Sequence, residues 1–63
     1  MKKIIDEFGT ICYYNENDEY HREDGPAIEY KDGRILYYYN DIYYPNIKSD
    51  EKWKKFVKLM VFK

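Results

Sequence analysis

Two hydrophobic periods divide the chain. From Lys2 to Tyr44 the apolar residues come in short runs, "KKIID", "TICYY", "PAIEY", "RILYYY" and "IYY", separated by polar or glycine-containing breaks. β-Branched and aromatic residues fill these runs, as strands require. In "PAIEY", Ala27 and Glu29 alternate with Ile28 and Tyr30, the period of a half-buried strand. Turns fall at Phe8-Gly9, at Lys31-Asp32-Gly33, where Asp-Gly supplies the positive φ that hairpins prefer, and again at Asn40-Asp41. "NENDEYHREDG" is too acidic and turn-rich for a core strand and reads as a connection. Pro45 has no amide proton and ends the last strand. The spacing then lengthens: Trp53, Phe56, Val57 and Met60 make one helical stripe, with Lys52, Lys54, Lys55 and Lys58 over the remaining surface. Ser49 is a suitable N-cap, and Asp50 and Glu51 sit where the helix dipole favours negative charge.

The predicted architecture is therefore α+β: a small antiparallel hairpin or meander sheet of about four or five short strands over residues 1–45, then one amphipathic helix over 49–62. At 63 residues this is a single domain, near the lower limit for independent folding. An internal echo accompanies the pattern. At an offset of 24, Ile4 meets Ile28, Gly9 meets Gly33, Tyr13 and Tyr14 meet Tyr37 and Tyr38, and Tyr20 meets Tyr44. This predicts two copies of a strand–Gly turn–strand unit.

Composition changes the picture in two ways. Aromatic residues make up 21% of the chain, nine of them tyrosines, which suit a sheet face or an interface. Charge is split. Residues 1–47 carry −5 and residues 48–63 carry +4, within a net of −1, so the halves can attract each other in one chain or between two copies. Cys12 is the only cysteine, which excludes an internal disulfide, and its apolar neighbours predict a small buried hydrophobe. Only Ile4 and Ile5 follow the basic start before Asp6, too few for a signal core, and no run approaches membrane-spanning length; a cytoplasmic setting is expected.

The candidate chemistry is sparse. One histidine, one distant cysteine and scattered acids do not form a metal-ligand set, so neither metal nor cofactor is expected. His21 has Glu23 and Asp24 nearby but no close nucleophile, and no phosphate loop is present; the reading is that the chain is not an enzyme. The tyrosines could stack on bases, but the −5 of the sheet half argues against nucleic acid. His21, Arg22, Asp24, Gly25, Pro26, Asp32 and Gly33 are expected to tie turns. Tyr37, Tyr39 and Tyr43, with Glu19, Glu23 and Asp24, are the expected partner-binding surface. Trp53, Phe56, Met60 and Phe62 are the expected dimer interface, because "KLMVFK" is apolar around the whole helix.

"HREDGPAIEYKDGRILYYYN" resembles the repeat HREDGPA-x-x-Y-x-DG-x-x-x-W/Y-Y-x-N-G of MORN-like repeat proteins, which are common in bacteriophages and giant viruses. His21, Arg22, Asp24, Gly25, Pro26, Ala27, Asp32, Gly33 and Tyr38 carry the match, and "IKSDEKWKKFVK" is similar to the helix that closes longer members. The resemblance spans about Phe8 to Val57. It implies a hairpin scaffold, and it implies a phage-type product acting in the host cytoplasm. Asn40-Asp41 stands where Asn-Gly is usual, and Asn15–Asp18 in the first copy is degenerate, which favours one compact unit over a stacked array. The favoured function is a dimeric inhibitor that occludes a host protein of anti-phage defence. The alternatives are a structural repeat module and a sponge for a small signalling nucleotide.

Overall fold

Lys2–Ile5 (β1) and Ile11–Tyr14 (β2) form the first hairpin in the computed structural model, which describes residues 1–61. Ile28–Glu29 (β3) and Ile35–Leu36 (β4) extend it to a four-stranded antiparallel sheet in the order β1-β2-β3-β4. Tyr38–Tyr39 (β5) and Ile42–Tyr43 (β6) make a separate two-stranded sheet, and Asp50–Val61 (α1) follows. The α+β class and the order of sheet then helix are those read from the sequence; the predicted sheet is divided in two. Phe62, assigned to the dimer interface above, lies outside the described residues.

The two copies of the strand–Gly turn–strand unit fold alike. Gly9 and Gly33 both have positive φ, 83° and 97°, a region that only glycine enters without a Cβ penalty. The Gly9 amide donates to Asp6 O at 3.1 Å, and the Gly33 amide donates to Tyr30 O at 3.0 Å, the same bond 24 residues on. The outer pair repeats too, with Asp6 N donating to Thr10 O (3.0 Å) and Tyr30 N to Arg34 O (2.8 Å). Asp6 and Asp32 complete the turns by accepting amide protons from Phe8 and Thr10, and from Arg34. That bond, reinforced by the Arg34 guanidinium, lowers the Asp32 pKa.

The echo loses register at the next turn. Tyr14 bridges Tyr20 across a five-residue loop, whereas Tyr38 pairs with Tyr43 and Tyr39 with Ile42 across a two-residue one. Asn40 and Asp41 occupy the tight turn at φ 49° and 71°, the positive-φ pair that a two-residue hairpin requires. Asp41 also accepts the Tyr20 amide proton at 2.9 Å, a bond that glycine could not make there.

Two expectations from the alternating pattern are corrected. In "PAIEY", Ala27 is buried as well as Ile28, while Glu29 and Tyr30 are partly exposed, so burial does not follow the alternation at Ala27, which precedes the inner strand β3. "RILYYY" is broken at Tyr37, which ends one sheet and begins the other. Its carbonyl accepts the Tyr44 amide proton at 3.0 Å, and its side chain enters the core.

That core is built from Tyr37, Trp53 and Val57, with Tyr39, Tyr44, Ile47, Phe56 and Met60 packed against it. Ser49 Oγ caps α1 by accepting from Lys52 N at 3.2 Å. The Tyr37 hydroxyl donates to Asp50 Oδ1 at 2.7 Å, joining the sheet corner to the first turn of the helix. Burial, reinforced by that carboxylate, pushes the Tyr37 phenol up to about 12. Since the folded pKa is raised, the associated stability is fully present below about pH 10 and is lost as pH climbs toward 12, a contribution on the order of 2–3 kcal/mol. Urea unfolding followed by circular dichroism is expected to show this alkaline loss in the wild type. Tyr37→Phe, which cannot ionise, is expected to give a visibly shallower decline; identical pH curves would contradict the assignment.

Candidate functional site

The motif His21–Ala27 is the joint that holds the two sheets and the helix together. His21 is buried, and its Nδ1 accepts the Asn40 amide proton at 3.0 Å, which leaves the proton of the neutral ring on Nε2, 3.3 Å from Glu23 Oε2. Its ring packs against Tyr39 at 4.6 Å between centroids. Arg22 is a clamp. Its Nε donates to Asp24 (2.9 Å), its Nη1 donates to Pro26 O (3.2 Å) and Glu29 (3.3 Å), and its guanidinium lies 4.0 Å over the Tyr13 ring. Burial works against that charge, but Asp24, Tyr13 and Glu29 outweigh it and raise the Arg22 pKa. From the other side, Trp53 Nε1 donates to Arg22 O at 2.7 Å. Gly25 and Pro26 are buried in this joint, while Asp32 and Gly33 form the exposed β3–β4 turn.

The expected binding residues separate. Tyr37 cannot be a surface residue: it is 1% exposed, because its side chain fills the core beside Trp53. Tyr39 is half-buried against the core and His21. Only Tyr43, 45% exposed, is freely presented. Glu19, Glu23 and Asp24 each have a partner within the chain, Asn15 Nδ2 (2.8 Å), His21 and Arg22, while Glu23 and Asp24 remain exposed. The expected dimer interface is corrected for Trp53, which is 0% exposed within its own chain. Phe56 and Met60 pack on that same core. The apolar helix residues left open are Leu59 and Val61.

What the fold presents instead is a ladder of four tyrosines. Tyr14 stacks on Tyr20 at 5.1 Å, Tyr20 meets Tyr38 at 5.1 Å, and Tyr38 stacks on Tyr43 at 5.4 Å. The first three are half-buried and the last is exposed. The rungs belong to two different hairpins, held in line where Asp41 N donates to Tyr20 O (2.8 Å) and Asp41 Oδ1 accepts from Tyr20 N. Burial, then the neighbouring Tyr20 phenol, pushes Tyr14 up to about 12; burial and the adjoining phenols also raise Tyr38. Tyr14 and Tyr38 are therefore uncharged over the physiological range. Carboxylates border it: Asp41 is exposed beside Tyr20, and Asp18 is exposed and paired with Lys2 near the Tyr14 end. At the other end Tyr43 is also a wall of an open groove of about 270 Å³, shared with Ile35, Tyr44, Pro45, Ile47 and Lys48. That volume admits one or two side chains more readily than a cofactor.

Sequence reasoning missed Tyr14, Tyr20 and Tyr38. The signal was present in the echo, which equates Tyr14 with Tyr38. Among the described residues no three His, Cys, Asp or Glu side chains are grouped to hold a metal ion, and no helix is long and apolar enough to cross a membrane. Comparisons with protein-family models, with curated proteins and with solved structures find no match to this chain.

Proposed function

We propose that this chain is a small protein-binding module that acts by occlusion, with the tyrosine ladder as its contact surface. The observation that carries the reading is the run of Tyr14, Tyr20, Tyr38 and Tyr43 ending at an open groove of mixed polar and apolar lining. Tyrosine offers a rigid apolar body and a polar tip at small entropic cost, the properties that concentrate it at interfaces. Ring faces attract cations, and the ladder lies in the half of the chain that carries −5. The partner it suits is a protein with a basic, arginine- or lysine-bearing surface. Acidic surroundings speed encounter with such a surface and disfavour nucleic acid. The likeness to phage repeat proteins supports a specific form of this reading: an inhibitor covering a basic functional surface of a bacterial anti-phage defence protein.

The test is affinity capture from lysates of bacteria carrying defence systems, with the wild type and with Tyr43→Ala and Tyr20→Ala as baits. Truncation of a central interface tyrosine costs about 2 kcal/mol or more, so a specifically retained protein is expected to fall by at least about tenfold on the variants. Expression of the wild type is expected to restore phage plating on the strain whose protein was captured. Equal recovery by all three folded baits would rule out the ladder as the contact surface.

A further inference from the structure

We propose that β1 is the seam of a homodimer, in which two copies pair their first strands antiparallel about a two-fold axis passing through Ile4. This surface is separate from the ladder, and the proposal does not depend on the ladder's function. Strand β1 is an edge of the sheet, and all four of its residues are exposed. Ile4 is 51% exposed and Ile5 61%, on opposite faces of the strand, and Met1 and Phe8, near them in sequence, are 69% and 73% exposed. Trp53, Phe56 and Met60 are taken up by the chain's own core, which leaves this edge, with Leu59 and Val61 on the helix, as exposed apolar surface.

The backbone fixes which groups are available. Asp6 N donates to Thr10 O, and Ile4 and Lys2 stand opposite Cys12 and Tyr14. By the alternation of an antiparallel ladder, Lys2, Ile4 and Asp6 turn their amides and carbonyls toward β2. Those of Lys3 and Ile5 point outward from the free edge. A two-fold centred on Ile4 sets Lys3 against Ile5 of the second copy, so outward groups meet outward groups and exchange hydrogen bonds on both sides of the axis. The same register places Ile4 beside Ile4 of the second copy, and Lys2, which pairs with Asp18 in its own chain, opposite Asp6 of the second copy, so that unlike charges face each other. Centring the axis on Lys3 would oppose two ammonium groups. Centring it on Ile5 would set Lys3 against Glu7 but would place Ile4 against the carboxylate of Asp6, which already accepts the Phe8 and Thr10 amide protons. The lysines that ordinarily protect an edge from indiscriminate pairing thus disfavour the Lys3-centred register, the Asp6 carboxylate disfavours the Ile5-centred one, and the two-fold closes the assembly. Lys2 and Ile4 lie on the same sheet face as Tyr14 by their register, so the dimer carries its two ladders on one side.

Sedimentation of the wild type is expected to show a concentration-dependent dimer. Ile4→Lys, at an exposed position, is expected to weaken it at least about tenfold while leaving the circular dichroism unchanged. In a Cys12→Ser background, needed because Cys12 is the cross-strand neighbour of Ile4, Ile4→Cys is expected to oxidise to a covalent dimer, since directly opposed residues of a non-hydrogen-bonded pair have Cα atoms about 4.5 Å apart, within disulfide reach. Ile5→Cys in the same background is expected to cross-link far more slowly. A wild type that stays monomeric at every concentration, an Ile4→Lys protein that still dimerises, or cross-linking at position 5 as fast as at position 4 would each overturn the proposal.

Discussion

Trp53→Ala is expected to abolish cooperative folding at room temperature. The indole is 0% exposed and stands at the meeting point of every layer: 5.3 Å from the Tyr37 ring, 5.5 Å from Tyr44 and 5.8 Å from Phe56, all between centroids. Its Nε1 proton goes to Arg22 O at 2.7 Å, which ties the helix to the motif joint. Truncating a buried tryptophan costs about 3–5 kcal/mol. A chain of this length has only about 3–9 kcal/mol of total stability, so the substitution removes most or all of it. Trp53→Phe separates the two contributions. It keeps most of the ring but strands the Arg22 carbonyl without its donor, at an expected cost of about 1–3 kcal/mol. Urea titration followed by far-ultraviolet circular dichroism reads both variants without using the tryptophan signal. A Trp53→Ala protein that unfolds at the wild-type midpoint would mean that the helix is not docked through this residue.

The second large effect is expected at Arg22. Its guanidinium serves two carboxylates, one carbonyl and the face of Tyr13 at once, with 21% of the side chain exposed. Charge-assisted hydrogen bonds contribute about 1.5–3 kcal/mol and the ring contact on the order of 1 kcal/mol. Arg22→Ala is therefore expected to destabilise by about 2–4 kcal/mol. Arg22→Lys is expected to recover less than half of that, because an ammonium cannot present the planar fork that reaches Asp24, Pro26 and Glu29 together. Paired denaturation curves decide the point: a lysine variant indistinguishable from wild type would reduce the clamp to a simple point charge. Glu29 offers a control, since Glu29→Gln removes one arm and should act less than additively with Arg22→Ala.

These two residues also illustrate how the site became visible. Arg22 and His21 could be read as turn-tying residues from sequence, since the surrounding glycine, proline and acids limit the local backbone. Their partners could not. Asn40, Glu29 and Trp53 approach from 7 to 31 positions away, by routes that only the closed fold supplies. The tyrosines divide differently. Alternation states that Tyr37 and Tyr38 face opposite ways, but not which one faces the helix. That choice is made where Trp53 docks, and it sends Tyr37 inward and leaves Tyr38 to the ladder. Assigning Tyr37 to the surface and overlooking Tyr38 are one error of parity.

By itself, then, the sequence determined what local physics controls: the glycine turns with their positive φ, the tight Asn40-Asp41 hairpin, the serine-capped helix and its apolar stripe, and hence the α+β class. Each depends on the φ range and hydrogen bonding of a few neighbouring residues. Only the tertiary structure decided that "RILYYY" breaks at Tyr37, that Ala27 and Ile28 are both buried, that four tyrosines from two hairpins align, and that Trp53 is taken into the chain's own core while Ile4 and Ile5 stay exposed. Those outcomes depend on which distant surfaces cover one another, and a pattern of polar and apolar residues shows that a face must be buried without showing against what.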